Sequence, residues 1–182
     1  MNNNTYCAFL RGVNVNGRTM KMAEVSDVFR AAGTADVTPV LASGNIIFRS
    51  DHSQADLRSI LESAMTSHYD DTVNLFVKST DEISAILSGL PYAVNEDFHI
   101  YAFICEPMFE DVLLDEFNKI TPALNEKACI NNGNFYWQCA KGATLDSGFS
   151  KILGRKAMKD KFTSRNIGTL EKVQAKMQSL NL

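Results

Sequence analysis

Apolar runs too short for helices alternate with amphipathic stretches in one fixed order, and that order occurs twice along the chain. Tyr6 to Leu10 precedes the loop-forming Gly12-Val13-Asn14-Val15-Asn16-Gly17, and so reads as a strand feeding a loop. Met22, Val25, Val28, Phe29 and Ala32 then recur at helical spacing and stop at Gly33. Val37 to Ala42 and Ile46 to Arg49 are β-rich runs around Ser43-Gly44-Asn45, a hairpin signature, and Pro39 confines the first of them to a sheet edge. Ser53, with Asp56 three residues later, opens a second helix over Leu57, Ile60, Leu61, Ala64 and Met65, and Val73 to Lys78 supplies a fourth strand. The order β-α-β-β-α-β is the split βαβ, or ferredoxin-like, arrangement, with two helices on one face of an antiparallel sheet.

A connecting helix is predicted near Asp81 to Gly89, with Ile83, Ile86, Leu87 and Leu90 before Pro91. The order then repeats: strand Phe98 to Cys105, helix Phe109 to Phe117, strand Lys127 to Asn131, turn Asn132-Gly133, strand Phe135 to Ala140, and a helix around Phe149, Ile152, Leu153 and Ala157. Thr163 to Asn166 fits a short last strand, and Leu170, Val173, Met177 and Leu180 mark a terminal helix. The expected fold class is therefore α+β, with two ferredoxin-like halves. Residues 1–80 form the first half, 81–97 the connecting helix and linker, and 98–182 the second half with its C-terminal helix. The two halves share a pattern and no residue-level repeat.

A chain of 182 residues with 45% hydrophobic and 21% charged residues has the proportions of an ordinary globular protein, which excludes disordered and fibrous classes. No apolar run approaches the about 18 residues of a membrane span, and Met1 to Leu10 lacks the basic and long apolar regions of a secretory leader. A cytoplasmic protein with no membrane partner is the expectation. Cys7, Cys105, Cys129 and Cys139 show no C-x-x-C and no metal-ligand spacing to His52, His68 or His99. A two-residue turn at Asn132-Gly133 sets Cys129 opposite Tyr136 and leaves Cys139 beyond Lys127, so those two are not a cross-strand disulfide. Reduced thiols packed in strands, and no metal or cofactor, follow.

The net charge of −3 hides an asymmetry, because residues 141–182 carry nine Lys and Arg against three acids. Such a segment suits a phosphate or nucleic-acid surface, or simply the solvated face of helices. Gly12 to Thr19 has the spacing G-x-x-x-x-G-[KR]-[ST] of a P-loop between a strand and a helix. Arg18 stands where a lysine belongs, the helix begins near Lys21, and no strand ends in a magnesium-binding Asp, so a nucleotide triphosphatase is disfavoured against a general anion-binding loop or a structural turn. The split βαβ topology brings the loop after strand one and the following hairpin to one sheet edge. Arg11, Gly12, Asn14, Asn16 and Arg18 are expected to approach Ser43 and Asn45 there, with backbone N–H groups and guanidinium groups available to a phosphate or carboxylate. The plainer alternative is that Asn14 and Asn45 tie the two loops together.

Catalytic constellations do not emerge. The histidines fall on a loop, a helix end and a strand start, and Asp70-Asp71 and Glu96-Asp97 sit in turns where solvation accounts for them. Phe135 and Trp137 share a strand face, a stacking platform for bases at most, and core packing is the better expectation.

Leu10 to Gly17, Lys21-Met22 and Ser43-Gly44-Asn45-Ile46-Ile47-Phe48 resemble the signature of the bacterial family called domain of unknown function 1697, and Ser150-Lys151 with Thr163 to Thr169 resemble its C-terminal motif. Ile167 replaces an aromatic and Asn16 a glycine of that pattern. The resemblance spans essentially the whole chain. It implies a small cytoplasmic α+β protein with ferredoxin-like halves, and it brings no established activity.

Three functions compete. The first is capture of an anionic or phosphorylated small molecule at the Arg11–Arg18 loop. The second is nucleic-acid binding by the basic C-terminal segment, a reading by fold analogy. The third is an interaction protein without a ligand. Thr163 and Asn166 suit the cap of the final helix, whereas Arg165 has no evident local duty and is expected to meet an acid or a ligand. Lys151, Arg165 and Asn166 are accordingly expected to join Arg11 and Asn45 in one basic cleft, with phosphate as its guest.

Overall fold

Tyr6 to Leu10 is continuous in apolar residues instead of alternating, and the strand it forms, β1 (Asn4–Leu10), is buried on both faces. The computed structural model describes residues 4–15, 18–158 and 160–180, with Asn14, Val15 and Arg18 described by their backbone. Residue contacts divide the chain into two compact units, residues 1–84 with 171–182, and residues 85–170. The terminal helix follows the second half in chain order, yet from Glu171 onward its residues group with the first unit.

In the first unit β1 leads through a two-rung ribbon, β2 (Asn14–Val15) and β3 (Arg18–Thr19), to α1 (Met22–Ala31). The chain continues through β4 (Ala35–Val40), β5 (Asn45–Ser50), α2 (Gln54–Tyr69) and β6 (Leu75–Ser79). The four main strands lie in the order β4-β5-β1-β6, every neighbour antiparallel, which is the expected split βαβ sheet. Tyr6, Ala8, Leu10, Ile46, Phe48, Leu75 and Val77 share a core with Val25, Val28 and Phe29 of α1 and Leu57, Leu61 and Met65 of α2. Phe29 meets Phe48 edge-on at 5.5 Å, the geometry in which a positive ring edge faces a negative ring face. Ser53 caps α2 by accepting from the Asp56 N–H at 3.2 Å and donating to its carboxylate at 2.6 Å.

The two edges of this sheet are blunted differently. On β4 the pairing slips between Ala35 and Thr38, with Asp36 at φ 51° and Pro39 lacking a donor. On β6 helix side chains take the outward backbone groups: the Leu75 N–H donates to Glu62 Oε1 at 3.1 Å, Gln54 Nε2 donates to the Val77 carbonyl at 2.7 Å, and the Ser79 N–H donates to Glu82 Oε2 at 2.8 Å. Glu82 and Ser79 are the two ends of a capping box on α3 (Thr80–Ser88), the predicted connecting helix.

The second unit repeats the order with β7 (Phe98–Cys105), α4 (Phe109–Asn118), β8 (Lys127–Asn131), β9 (Asn134–Ala140), α5 (Gly148–Leu153) and β10 (Phe162–Asn166). Its sheet runs β10-β7-β9-β8, again antiparallel throughout, so the two units have the same strand order. Asn132 and Gly133, at φ 49° and 73°, make the tight turn, where only residues tolerant of left-handed backbone fit. Cys129 consequently faces Tyr136, Gln138 faces Lys127, and Cys139 lies one step beyond, as the spacing predicts. Phe103, Phe135, Trp137 and Phe162 pack with Leu113, Phe117 and Phe149 on the helix side. On the opposite face Tyr136 donates to the Ile86 carbonyl at 2.7 Å, and Asn131 Nδ2 donates to the Gly89 carbonyl at 2.7 Å, fixing the end of α3 to this sheet. The helix predicted around Phe149 to Ala157 stops at Leu153, and a 3₁₀ turn, Lys156–Met158, follows after Gly154. Asn166 caps α6 (Ile167–Leu180) by accepting from the Gly168 N–H at 3.0 Å.

Candidate functional site

The connection between β1 and α1 meets the β4–β5 hairpin at one sheet edge, as the topology requires. The Leu10 N–H donates to the Gly44 carbonyl at 2.8 Å, and the Arg11 N–H donates to the Asn74 carbonyl at 3.0 Å. Gly44 is buried at φ 74°, and a Cβ there would collide with the Val13 side chain and stand 3.0 Å from Leu10 Cβ. Here glycine is needed twice over, for the backbone angle and for the close approach. Val13 is buried in the core, and its carbonyl accepts from the Met20 N–H at 3.0 Å, which closes the connection into a loop.

That geometry separates the stretch from a P-loop. The paired β2 and β3 intervene, and α1 begins at Met22, five residues after the second glycine. Helix amides therefore do not follow directly on the glycine turn as phosphate-cradling loops require. α1 nevertheless opens without a side-chain cap: its N-cap is Lys21, whose extended backbone contributes no side-chain hydrogen bond. Lys21 lies 3.9 Å from Glu24, both side chains well exposed, a weak pair. Gly12 is exposed at φ 72° with open space above it, and Arg11 is half-buried.

Asn45, one of the predicted residues, has a structural role. Asn45 is fully buried, and its Nδ2 donates to the Val40 carbonyl at 2.9 Å and to Ser43 Oγ at 3.0 Å, so its amide closes its own hairpin. Ser43 is exposed beside it. Arg18 and Asn14 are placed by backbone pairing, Val15 to Arg18 and Asn14 to Thr19. Asn16 and Gly17 lie outside the described residues.

The C-terminal cluster divides. Lys151 is exposed on α5. Arg165 is buried, donating from Nη1 to Thr163 Oγ1 at 2.7 Å and to the Ser164 carbonyl at 2.9 Å, local duties that sequence reading did not supply. Asn166 is the cap of α6, and its Nδ2 meets His99 Nδ1 at 3.1 Å. Two other basic residues of the region have acidic partners: Arg155 meets Glu116 at 3.2 Å and Lys161 meets Glu106 at 2.9 Å. None of the chain's Phe, Tyr or Trp residues is exposed, so Phe135 and Trp137 are core residues and no base-stacking platform is present among them.

Three groups of the second unit are pushed toward their neutral forms. Burial pushes the Cys139 thiol up, and the nearby Glu126 carboxylate adds to that. Burial likewise raises Tyr101, and it pushes Tyr136 up to about 12. All four cysteines are free thiols. Among the described residues no group of three or more His, Cys, Asp or Glu side chains is arranged to hold a metal ion, and no helix is long and apolar enough to cross a membrane.

These parts define a class: an α+β protein of two ferredoxin-like units with a basic, glycine-bearing connection after its first strand. The chain belongs to the family described as protein of unknown function (DUF1697), whose pattern matches residues 3–136. That match takes in the N-terminal loop and hairpin and ends before Ser150-Lys151 and Thr163 to Thr169. The fold is similar to the solved structure of the conserved bacterial protein SP0830 from Streptococcus pneumoniae, with a TM-score of 0.79 and 23% identity over 96% of this chain and 98% of that one. At that identity the likeness speaks for the fold. No curated protein matches the chain.

Proposed function

We propose that the protein binds an anionic, phosphorylated small molecule at the connection from Arg11 to Lys21. One observation carries the reading: the ten-residue helix α1 begins behind a lysine N-cap that makes no side-chain hydrogen bond to its first amides, at the end of a connection that also bears Arg11 and Arg18. Helix amides and cations favour the same guest, and Arg supplies planar, paired donors suited to phosphate oxygens. Four free thiols suit a reducing, cytoplasmic setting for such a protein. The nucleic-acid reading has less support, since Arg155 and Lys161 are paired with acids and no aromatic ring is exposed.

Calorimetry with inorganic phosphate and with simple nucleotides tests the proposal. Arg18→Ala should weaken binding about tenfold with unchanged unfolding midpoint, whereas Arg11→Ala, at the end of β1, should lower both affinity and stability. Equal affinity of wild type and Arg18→Ala would overturn the assignment of that residue. Absence of binding by any phosphate compound at millimolar concentration would overturn the function.

A further inference from the structure

A depression of about 410 Å³ lies wholly within the second unit, on the sheet face opposite α4 and α5. Its floor is the cross-strand pair Lys127 and Gln138, with Phe98 beside them at the start of β7. Tyr92 and Asn95, from the segment after α3, form one wall, and Asn125 forms the other.

Each wall is held by bonds that do not depend on a guest. Burial raises the Tyr92 phenol, and the nearby Cys129 adds to the rise, so that the ring stays neutral. Asn95 Oδ1 accepts from the Asp97 and Phe98 N–H groups at 2.9 and 3.2 Å. Gln138 Nε2 donates to the Asn125 carbonyl at 3.2 Å, which fixes the direction of the amide. Asn125 itself has left-handed backbone, φ 63°.

Three features of the lining then specify a ligand. Gln138 is 93% buried, with relative exposure of 7%, and its Oε1 has no hydrogen-bond partner among the described residues, so the depression contains a fixed acceptor in search of a donor. Lys127 is exposed and has no carboxylate within ion-pair distance among the described residues, whereas Lys78, Lys119 and Lys161 are each paired with a glutamate. Tyr92 and Phe98 are half-buried rings, the apolar and planar part of the surface. A pocket of a few hundred cubic ångströms with aromatic walls and a few directed polar groups is the usual form of a small-molecule site.

We infer that this depression binds a small planar aromatic acid carrying a ring N–H: the ring lies against Tyr92 and Phe98, the N–H donates to Gln138 Oε1, and the acid group meets the Lys127 ammonium. This site is independent of the Arg11–Lys21 connection.

Indole-3-acetate, naphthalene-1-acetate and tryptamine form a matched probe set, because the second lacks the ring N–H and the third reverses the charge. Titration followed by amide NMR should show indole-3-acetate binding at millimolar concentration, with shifts concentrated at residues 91–98, 125–127 and 138. Naphthalene-1-acetate should bind about fivefold more weakly, since it has no N–H to offer Gln138 Oε1, and tryptamine should not bind measurably. Lys127→Gln, a surface change, should weaken indole-3-acetate about fivefold, while Lys172→Gln, an exposed lysine of α6, controls for net charge. No indole-3-acetate binding at about 5 mM, equal affinity for the naphthalene compound, or an unchanged affinity in Lys127→Gln would each overturn the proposal.

Discussion

The side-chain amide of Asn166 bridges two neighbours, its Oδ1 accepting from the Gly168 N–H at 3.0 Å and its Nδ2 reaching His99 Nδ1 at 3.1 Å. Because only oxygen can accept from the Gly168 N–H, the NH₂ group must face the imidazole, and His99 Nδ1 must present a lone pair. The ring is therefore the Nε2–H tautomer. Nitrogen NMR of the imidazole should find Nδ1 bare in the wild type. Asn166→Asp keeps the cap but offers His99 only an acceptor, so its ring should move its proton to Nδ1. Asn166→Ala should cost about 1 kcal/mol of stability, read from the urea midpoint. A bare Nδ1 in Asn166→Asp would contradict this bonding.

Gly44→Ala tests the junction of the first loop and the hairpin. The added methyl would sit at φ 74° against Val13 and Leu10, combining backbone strain with overlap. A loss of about 2 kcal/mol or more is expected in denaturant unfolding. A loss under about 0.5 kcal/mol would mean that Val13 moves aside freely.

Glu82 supplies a pH dependence. Burial alone would raise its carboxyl, yet the Lys78 ammonium at 2.7 Å, the Ser79 N–H and Gln54 together hold it below the ordinary 4.5. A carboxylate depressed on folding contributes stability above its unfolded pKa, and the contribution is lost as pH falls through the folded value. Glu82→Gln should thus be less stable than wild type by about 1 kcal/mol at pH 7, from the weakened cap. The gap should close toward pH 3. A gap independent of pH would assign the effect to packing instead of charge.

The single tryptophan reports on a buried acid. Glu126 is 7% exposed and accepts from Trp137 Nε1–H at 3.0 Å and from the Ala123 N–H at 2.9 Å. Glu126→Ala strands both donors and should cost about 2–3 kcal/mol, with a red shift of Trp137 fluorescence as water reaches the indole. Unchanged emission would show that the ring nitrogen finds another acceptor.

Sequence reading reached furthest where a local rule acts alone. The Asn132-Gly133 turn dictates the register of β8 and β9 down to Cys129 opposite Tyr136, and Ser53 with Asp56 marks the start of α2. It reached least where two distant segments meet. Strands β2 and β3 have two residues each, too few for any periodicity to appear. Arg165 is a different case: its partners, Thr163 Oγ1 and the Ser164 carbonyl, are sequence neighbours in β10, and only the curl of the side chain back onto its own strand reveals them. The depression at Gln138 is not legible in the sequence, since Tyr92, Phe98, Asn125 with Lys127, and Gln138 itself come from separate stretches of chain and carry no shared motif.

The side chains along the outer margin of β6 have one more effect. Glu62, Gln54 and Glu82 occupy backbone positions that an incoming strand would need, at Leu75, Val77 and Ser79 in succession. A foreign β-strand can add itself to this sheet only by displacing three bonds before forming its first complete rung, so the helices act as gatekeepers against polymerisation. Their polar residues restrain fibril growth from this edge, and a Glu62→Leu chain, with its Leu75 N–H exposed to partners, should show it by aggregating at concentrations where the parent stays dispersed.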